Sequence, residues 1–318
     1  MLGLLIACAL AAPSPPAVQA PLARRKVTTD DGVAIALYRY APPGGGVRRR
    51  PVLLVADVGW GREVFDLQGQ GLAPFLQDRG RDTFVVELRG QGRADAGASW
   101  HLADWVARDL PAAVAAIGQV HPGRIDVVAH GFAGALALAA TTREIAGRVE
   151  RVVALSTPVR AEVPNATVAQ ALRERSGSDA LWADARTFDL ILGQGGLWPI
   201  GRLAALRASA GRISSQAAGE LLDWMQSGDL PLPGDEGLVA RMRRYDRPTL
   251  VVLPLLDNFA HAEFAAPLRE LAPLAAVQVR LLSRFEGCAE DYSHLSMLQG
   301  AQAATDVWTP ALQFLDGP

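Results

Sequence analysis

Short, mainly apolar runs bounded by turn residues recur along this chain. Between them lie longer stretches with apolar residues three and four apart. Val33–Tyr40, Pro51–Val55, Thr83–Glu87, Ile125–Ala129, Val152–Leu155, Pro248–Leu253 and Val277–Leu282 form the first set. A strand buried on both faces needs no polar alternation, so most of these runs predict strands inside a mostly parallel sheet. Leu102–Gly118, Phe132–Thr142, Ala262–Leu274 and Ser296–Leu315 predict helices. Phe132–Thr142 is dominated by Ala, Leu and Gly, so that helix is expected to be buried all round. Strands alternating with helices imply right-handed crossovers and an α/β fold, with a doubly wound sheet covered on both faces.

The rhythm breaks between 159 and 247. Apolar or amphipathic pieces there, Val168–Arg175, Phe188–Leu192, Leu203–Ala208 and Ser215–Met225, contain no convincing strand. The stretch 159–247 therefore predicts a helical cap inserted into a core made of 26–158 and 248–318. Trp182, Phe188, Leu197, Trp198 and Trp224 make the insertion apolar. They either roof a pocket for a small apolar ligand or pack the insertion on its base.

Residues 1–25 read as a separate segment. Leu2–Ala12 is apolar and Pro13–Pro21 is rich in Pro and Ala. The apolar part is shorter than the about 20 residues that cross a bilayer. It matches the apolar region of a signal peptide, although no basic residue precedes it. Leu5-Ile6-Ala7-Cys8 resembles a bacterial lipoprotein box, which would anchor the chain through Cys8. Export or lipid anchoring is the expectation, and a cytoplasmic protein with an N-terminal extension is the alternative.

Composition narrows the classes. Half of the 318 residues are hydrophobic and 20% are charged, which excludes a disordered chain. The 31 basic and 33 acidic residues leave a net charge of -2, which argues against a nucleic-acid partner. Lys26 is the only lysine, a bias that fits a GC-rich genome. Two cysteines, Cys8 and Cys288, exclude a disulfide framework and a cysteine-rich zinc site. Gly59 and Gly61 begin a G-x-G, but Val64 stands where a dinucleotide fingerprint needs glycine. No P-loop and no metal-spaced cluster appears, so no cofactor is implied.

The most informative segment is Val127-Val128-Ala129-His130-Gly131-Phe132-Ala133-Gly134-Ala135-Leu136. It reads as a strand, a tight turn of small residues, then a helix. In α/β-hydrolases a G-x-S-x-G turn of this kind lifts a serine to the sheet edge, beside the first N–H of the helix. From about 26 to 315 the chain resembles that superfamily, in its serine-hydrolase and lysophospholipase-like branch. Ala129-His130-Gly131-Phe132-Ala133-Gly134 is similar to a Gly-His-Ser-Met-Gly-Gly elbow. Glu87-Leu88-Arg89-Gly90-Gln91-Gly92-Arg93 is similar to the family's acidic-Leu-Arg-Gly-His-Gly-Arg turn.

Laid on the elbow, the resemblance puts Gly131 at the nucleophile position and Ala129 at the first glycine. Asp257, in Leu256-Asp257-Asn258-Phe259-Ala260, matches the catalytic acid. His294, in Tyr292-Ser293-His294-Leu295-Ser296, matches the catalytic histidine. His130 matches a residue that shapes the turn. The backbone N–H groups of Val58 and Phe132 are the oxyanion-hole candidates. Where the family shows His-Gly before that hole, this chain has Ala56-Asp57. A carboxylate facing the hole would oppose a developing oxyanion; one pointing away would not. Ser156, Ser293 and Cys288 lie off any strand-to-helix elbow and are weak substitutes for the missing serine.

Three functions follow from the resemblance. The first is a pseudoenzyme or ligand-binding protein that keeps the Asp257–His294 pair and lacks the nucleophile. Its partner would be a small apolar or ester-like ligand, or a protein. The second is a non-covalent acid–base enzyme working through Asp257 and His294. The third is an ester hydrolase with an unrecognised nucleophile.

Overall fold

The computed structural model describes residues 23–44, 49–96, 100–160, 170, 197–211, 213–234, 236–260 and 265–317. Strands β1 (Ala23–Thr28), β2 (Ala34–Tyr40), β3 (Val52–Val55) and β4 (Thr83–Glu87) open the fold. Helix α1 (Leu72–Asp78) connects β3 to β4. Then come the helical segments α2 (Leu102–Asp104) and α3 (Leu110–Gly118), β5 (Ile125–His130), α4 (Gly131–Thr141) and β6 (Val149–Leu155). The short pair β7 (Pro231–Leu232) and β8 (Glu236–Gly237) precedes β9 (Thr249–Pro254) and β10 (Val277–Leu282). Eight strands form one sheet in the order β1-β2-β4-β3-β5-β6-β9-β10. From β4 to β10 the neighbours are parallel, and β2 pairs antiparallel with both β1 and β4.

The central strands β3 and β5 are buried for the reason their sequence suggests. Every residue of β3 and β5 is buried, including the polar Asp126 and His130 of β5. Helix α4 is buried at all eleven positions. Its glycine and alanine side let it lie close on the sheet: a Cβ on Gly134 would fall 2.0 Å from Thr157 Oγ1.

Several elements differ from the sequence expectation. Ala23–Arg25, grouped by composition with the N-terminal segment, belong to β1. This edge strand buries only Val27, so it carries no apolar signal and is held by its pairing with β2. The helix expected over Leu102–Gly118 contains a π turn at Trp105–Asp109, just before Pro111. Proline lacks the N–H that a regular turn would use there. The helix expected over Ser296–Leu315 is divided into Ser296–Gln299, a π turn at Ala304–Trp308, and Thr309–Asp316. Gly300 follows the first piece and Pro310 opens the last.

In the stretch expected to be a helical cap, the described part holds helices Arg202–Ala208, Ser215–Ser227 and Leu238–Met242. It also holds the hairpin β7–β8, which sequence reading did not anticipate. Trp182 and Phe188 lie outside the described residues, as do Cys8 and the rest of 1–22. Trp224 is fully buried and packs edge-on against Phe132 at 5.3 Å, so it packs this segment on its base. Trp198 is half-buried and Leu197 exposed. No helix among the described residues is long and apolar enough to cross a membrane.

Candidate functional site

Sheet register brings the candidate residues together. Val55 of β3 pairs with Ala129 of β5, and His130 of β5 with Leu155 of β6. Leu155 pairs in turn with Val252 of β9. The carboxyl ends of four parallel strands are therefore nearly level. The residues that follow them, Asp57, Gly131, Ser156 and Asp257, emerge on one edge. Strand order reverses between β3 and β5, because the chain runs from β3 outward to β4 and returns to β5 on the other side. Such a reversal opens a crevice at the carboxyl ends of the strands.

At this crevice β5 turns directly into α4. Gly131 has φ +60°, a left-handed conformation that glycine adopts without strain. His130 is the N-cap of α4 but contributes no side-chain cap. Asp57 supplies it from the neighbouring loop. Its Oδ1 accepts from the Val58 N–H at 2.8 Å and the Ala133 N–H at 3.2 Å. A carboxylate there satisfies an otherwise open helix N–H and lies at the positive end of the helix dipole. The loop's backbone is itself held, since Gln91 Nε2 donates to the carbonyls of Ala56 and Asp57.

Asp57 therefore faces the elbow. Of the two expected oxyanion donors, Val58 is in place, and its N–H is occupied by Asp57. On the helix side the donor that meets Asp57 is Ala133, one residue beyond Phe132. Phe132 instead aims its ring at Trp224 and Phe259, each 5.3 Å away.

Asp257 and His294 are brought together. His294 Nδ1 lies 2.9 Å from Asp257 Oδ2. The other oxygen of Asp257 accepts the N–H groups of Phe259 at 2.7 Å and Ala260 at 3.1 Å. The Leu256 N–H donates to the Tyr292 carbonyl at 2.8 Å and ties the two loops together. The other imidazole nitrogen, His294 Nε2, lies 3.1 Å from Asp57 Oδ2. The ring thus sits between two carboxylates, with both nitrogens placed to donate. Burial opposes a charge on it, but Asp257 and Asp57 outweigh burial and raise the imidazole from 6.5 to about 10. Burial likewise works against ionised Asp257. His294, with the hydrogen bonds from His294, Ser156 and Phe259, brings that carboxyl down to about 2. All three are out of water: Asp57 is 3% exposed, Asp257 1% and His294 0%.

Ser156 is a member of the cluster that sequence reading ranked low. Its hydroxyl donates to Asp257 Oδ2 and lies 2.8 Å from His294 Nδ1. It has φ +50°, rare for a residue with a side chain. It braces the Nδ1 side of the imidazole, opposite the Nε2 that a nucleophile would face. Ser293 lies beside His294 in the chain, and its backbone N–H donates to Ser296 Oγ at 2.8 Å. Cys288 is buried, and burial pushes its thiol up. The His130 ring lies tilted against that of His294, with centroids 4.3 Å apart, and places Nε2 3.0 Å from the His294 carbonyl. Burial and the neighbouring His294 charge bring its imidazole down to about 3.

This arrangement on this sheet decides the fold. The chain has the α/β-hydrolase fold. Solved structures agree. It superposes on an E-2-(acetamidomethylene)succinate hydrolase with a TM-score of 0.65 and 17% identity, covering 93% of this chain and 99% of that one. An enol-lactonase from Burkholderia xenovorans LB400 gives 0.64 and 17%, over 92% and 100%. An esterase from Exiguobacterium antarcticum gives 0.69 and 15%, over 92% and 99%. No family model matches the chain, and no curated protein matches it by sequence. Identities this low carry the hydrolase fold alone, and function has to be argued from the site.

Proposed function

We propose that this chain is a hydrolase-fold pseudoenzyme: a binding protein that performs no serine acyl transfer. One observation carries the reading. The Asp57 carboxylate fills the space that a side chain at position 131 would need, and it consumes the N–H groups of Val58 and Ala133. Gly131 offers no nucleophile. An oxyanion forming there would meet a fixed negative charge where serine hydrolases present donors.

The state of His294 supports the same reading over an acid–base enzyme. A general base must accept a proton through Nε2. Here Nε2 faces a carboxylate as a donor. The pair Asp257–His294 therefore serves as a buried ionic brace rather than as a base. An ester hydrolase built on Ser156 is also disfavoured, because Ser156 lies on the wrong nitrogen. The partner of such a protein is a small apolar or ester-like molecule bound without turnover.

A fluorophosphonate probe tests this directly, because it labels activated serines. The purified chain is expected to remain unlabelled and to leave p-nitrophenyl esters intact. Labelling that disappears in His294→Ala would overturn the proposal.

A further inference from the structure

Beside the hydrogen bonds just described, one polar atom at this centre is left over. His130 Nδ1 is buried and has no hydrogen-bond partner among the described residues. Its ring spends Nε2 on the His294 carbonyl, and a carbonyl can only accept. In the neutral ring the proton is then on Nε2, and Nδ1 holds a bare lone pair. Buried acceptors with nothing to accept are uncommon and point to a missing partner.

The His130 ring lies close to two further donor side chains. One donor atom from each of Asp57, His130 and His294 lies within 4.8 Å of the others, and all three residues are buried. We propose that Asp57, His130 and His294 form a binding site for one divalent transition-metal ion of the zinc class. Two imidazoles and a carboxylate are a donor set that such ions take. His294 Nε2 and Asp57 Oδ2 are 3.1 Å apart, close to the roughly 3.3 Å between two ligands on a tetrahedral zinc with bonds of about 2.0–2.1 Å.

The outer contacts fit as well. Metal-bound histidines donate their second ring N–H to a carboxylate or a carbonyl, which fixes tautomer and orientation. His294 has Asp257 at Nδ1 and His130 has the His294 carbonyl at Nε2. On binding, the ion takes the place of the proton between His294 Nε2 and Asp57, and that proton leaves to solvent. Asp57 and both imidazoles become ligands, Asp257 remains a positioning residue, and the fourth position stays open. The three ligands come from the loop after β3, the end of β5 and the segment after β10, so no sequence spacing could reveal them.

The inference rests on the placement of Asp57 at the elbow, as the proposed function does. The two fail separately: probe labelling reads acyl chemistry, and metal content reads this site. Tag-free full-length chain is equilibrated with zinc, passed into metal-free buffer and assayed for metal, and a parallel sample receives cobalt(II). One ion per chain and a tetrahedral cobalt spectrum are expected. Asp257→Asn should weaken zinc about 10–100-fold, and His130→Gln at least as much. His101→Ala and His121→Ala should leave the affinity unchanged. If the site variants fail to fold, X-ray absorption of the wild-type zinc form reads the ligands, with two imidazoles expected. Absence of bound zinc, a six-coordinate cobalt spectrum, fewer than two imidazoles, or full affinity in folded His130→Gln would each overturn the site.

Discussion

Asp57 Oδ2 lies 1.9 Å from the point a Cβ on Gly131 would occupy, and Asp57 Cγ lies 2.0 Å from it. The two residues exclude one another: a side chain at 131 and this carboxylate cannot share the elbow. Gly131→Ser should therefore be inert as an esterase. It should also destabilise the fold by about 2–4 kcal/mol, from overpacking and the positive φ. The double change Asp57→Ala with Gly131→Ser removes the conflict and frees the Val58 and Ala133 donors. It should gain fluorophosphonate labelling that depends on His294. Esterase activity in the single variant would show that Asp57 moves aside easily, contrary to the three hydrogen bonds of its carboxylate.

Asp57 also holds the fold. Asp57→Ala removes a helix cap and one of two carboxylates around a buried imidazole. Loss of a cap costs about 1 kcal/mol, and unpairing a buried charge costs more. Since Asp257 still pairs with His294, a total of about 2–3 kcal/mol is expected. Asp57→Asn keeps an oxygen for the Val58 and Ala133 N–H groups and should lose less than Asp57→Ala. Urea unfolding followed by circular dichroism measures both, and equal losses in the two variants would remove the cap from the account.

Away from the site, Asp31 makes acid stability predictable. Its carboxyl is held well below the ordinary 3.8, chiefly by the hydrogen bond from Arg89; burial works against this, and the Thr29 hydrogen bond lowers it further. A carboxyl whose pKa is depressed by folding stabilises the folded state above its unfolded value. That contribution fades as pH falls below about 4 toward the folded value. Asp31→Asn lacks it, so acid unfolding should begin at a higher pH while the wild type is still folded. The difference should shrink at high salt, because Asp31 is partly exposed. Coincident acid-unfolding curves would show the Arg89 pair to be neutral.

The residues that could be read from sequence are those with a local signature. The elbow is a strand, small residues and an apolar helix in immediate succession, and it is found where expected. Asp257 and His294 each follow a strand in the expected order, and they meet. The direction of Asp57 had no local signature, because it depends on α4 lacking a cap of its own. One sign was present: His130, at the N-cap position, is a poor capping residue, so the helix needed an acceptor from elsewhere. The edge strand β1 was missed because it pairs through its backbone and buries only Val27. Ser156 was undervalued because its role is set by two loops distant in sequence.

Ser156 carries the last prediction, which rests on two opposing effects. Its hydroxyl bridges Asp257 and His294, and a hydrogen bond to a charged group contributes about 1.5–3 kcal/mol. Its backbone, at φ +50°, costs about 1–3 kcal/mol for a residue with a Cβ. Ser156→Ala loses the hydroxyl and keeps the strain, so it should be clearly destabilised. Ser156→Gly loses the same hydroxyl and relieves the strain, less about 0.4–1 kcal/mol for the freer unfolded chain. The glycine variant should therefore be the more stable of the two in urea. If alanine is equal or better, the positive φ at Ser156 stores no strain and the residue acts through its hydroxyl alone.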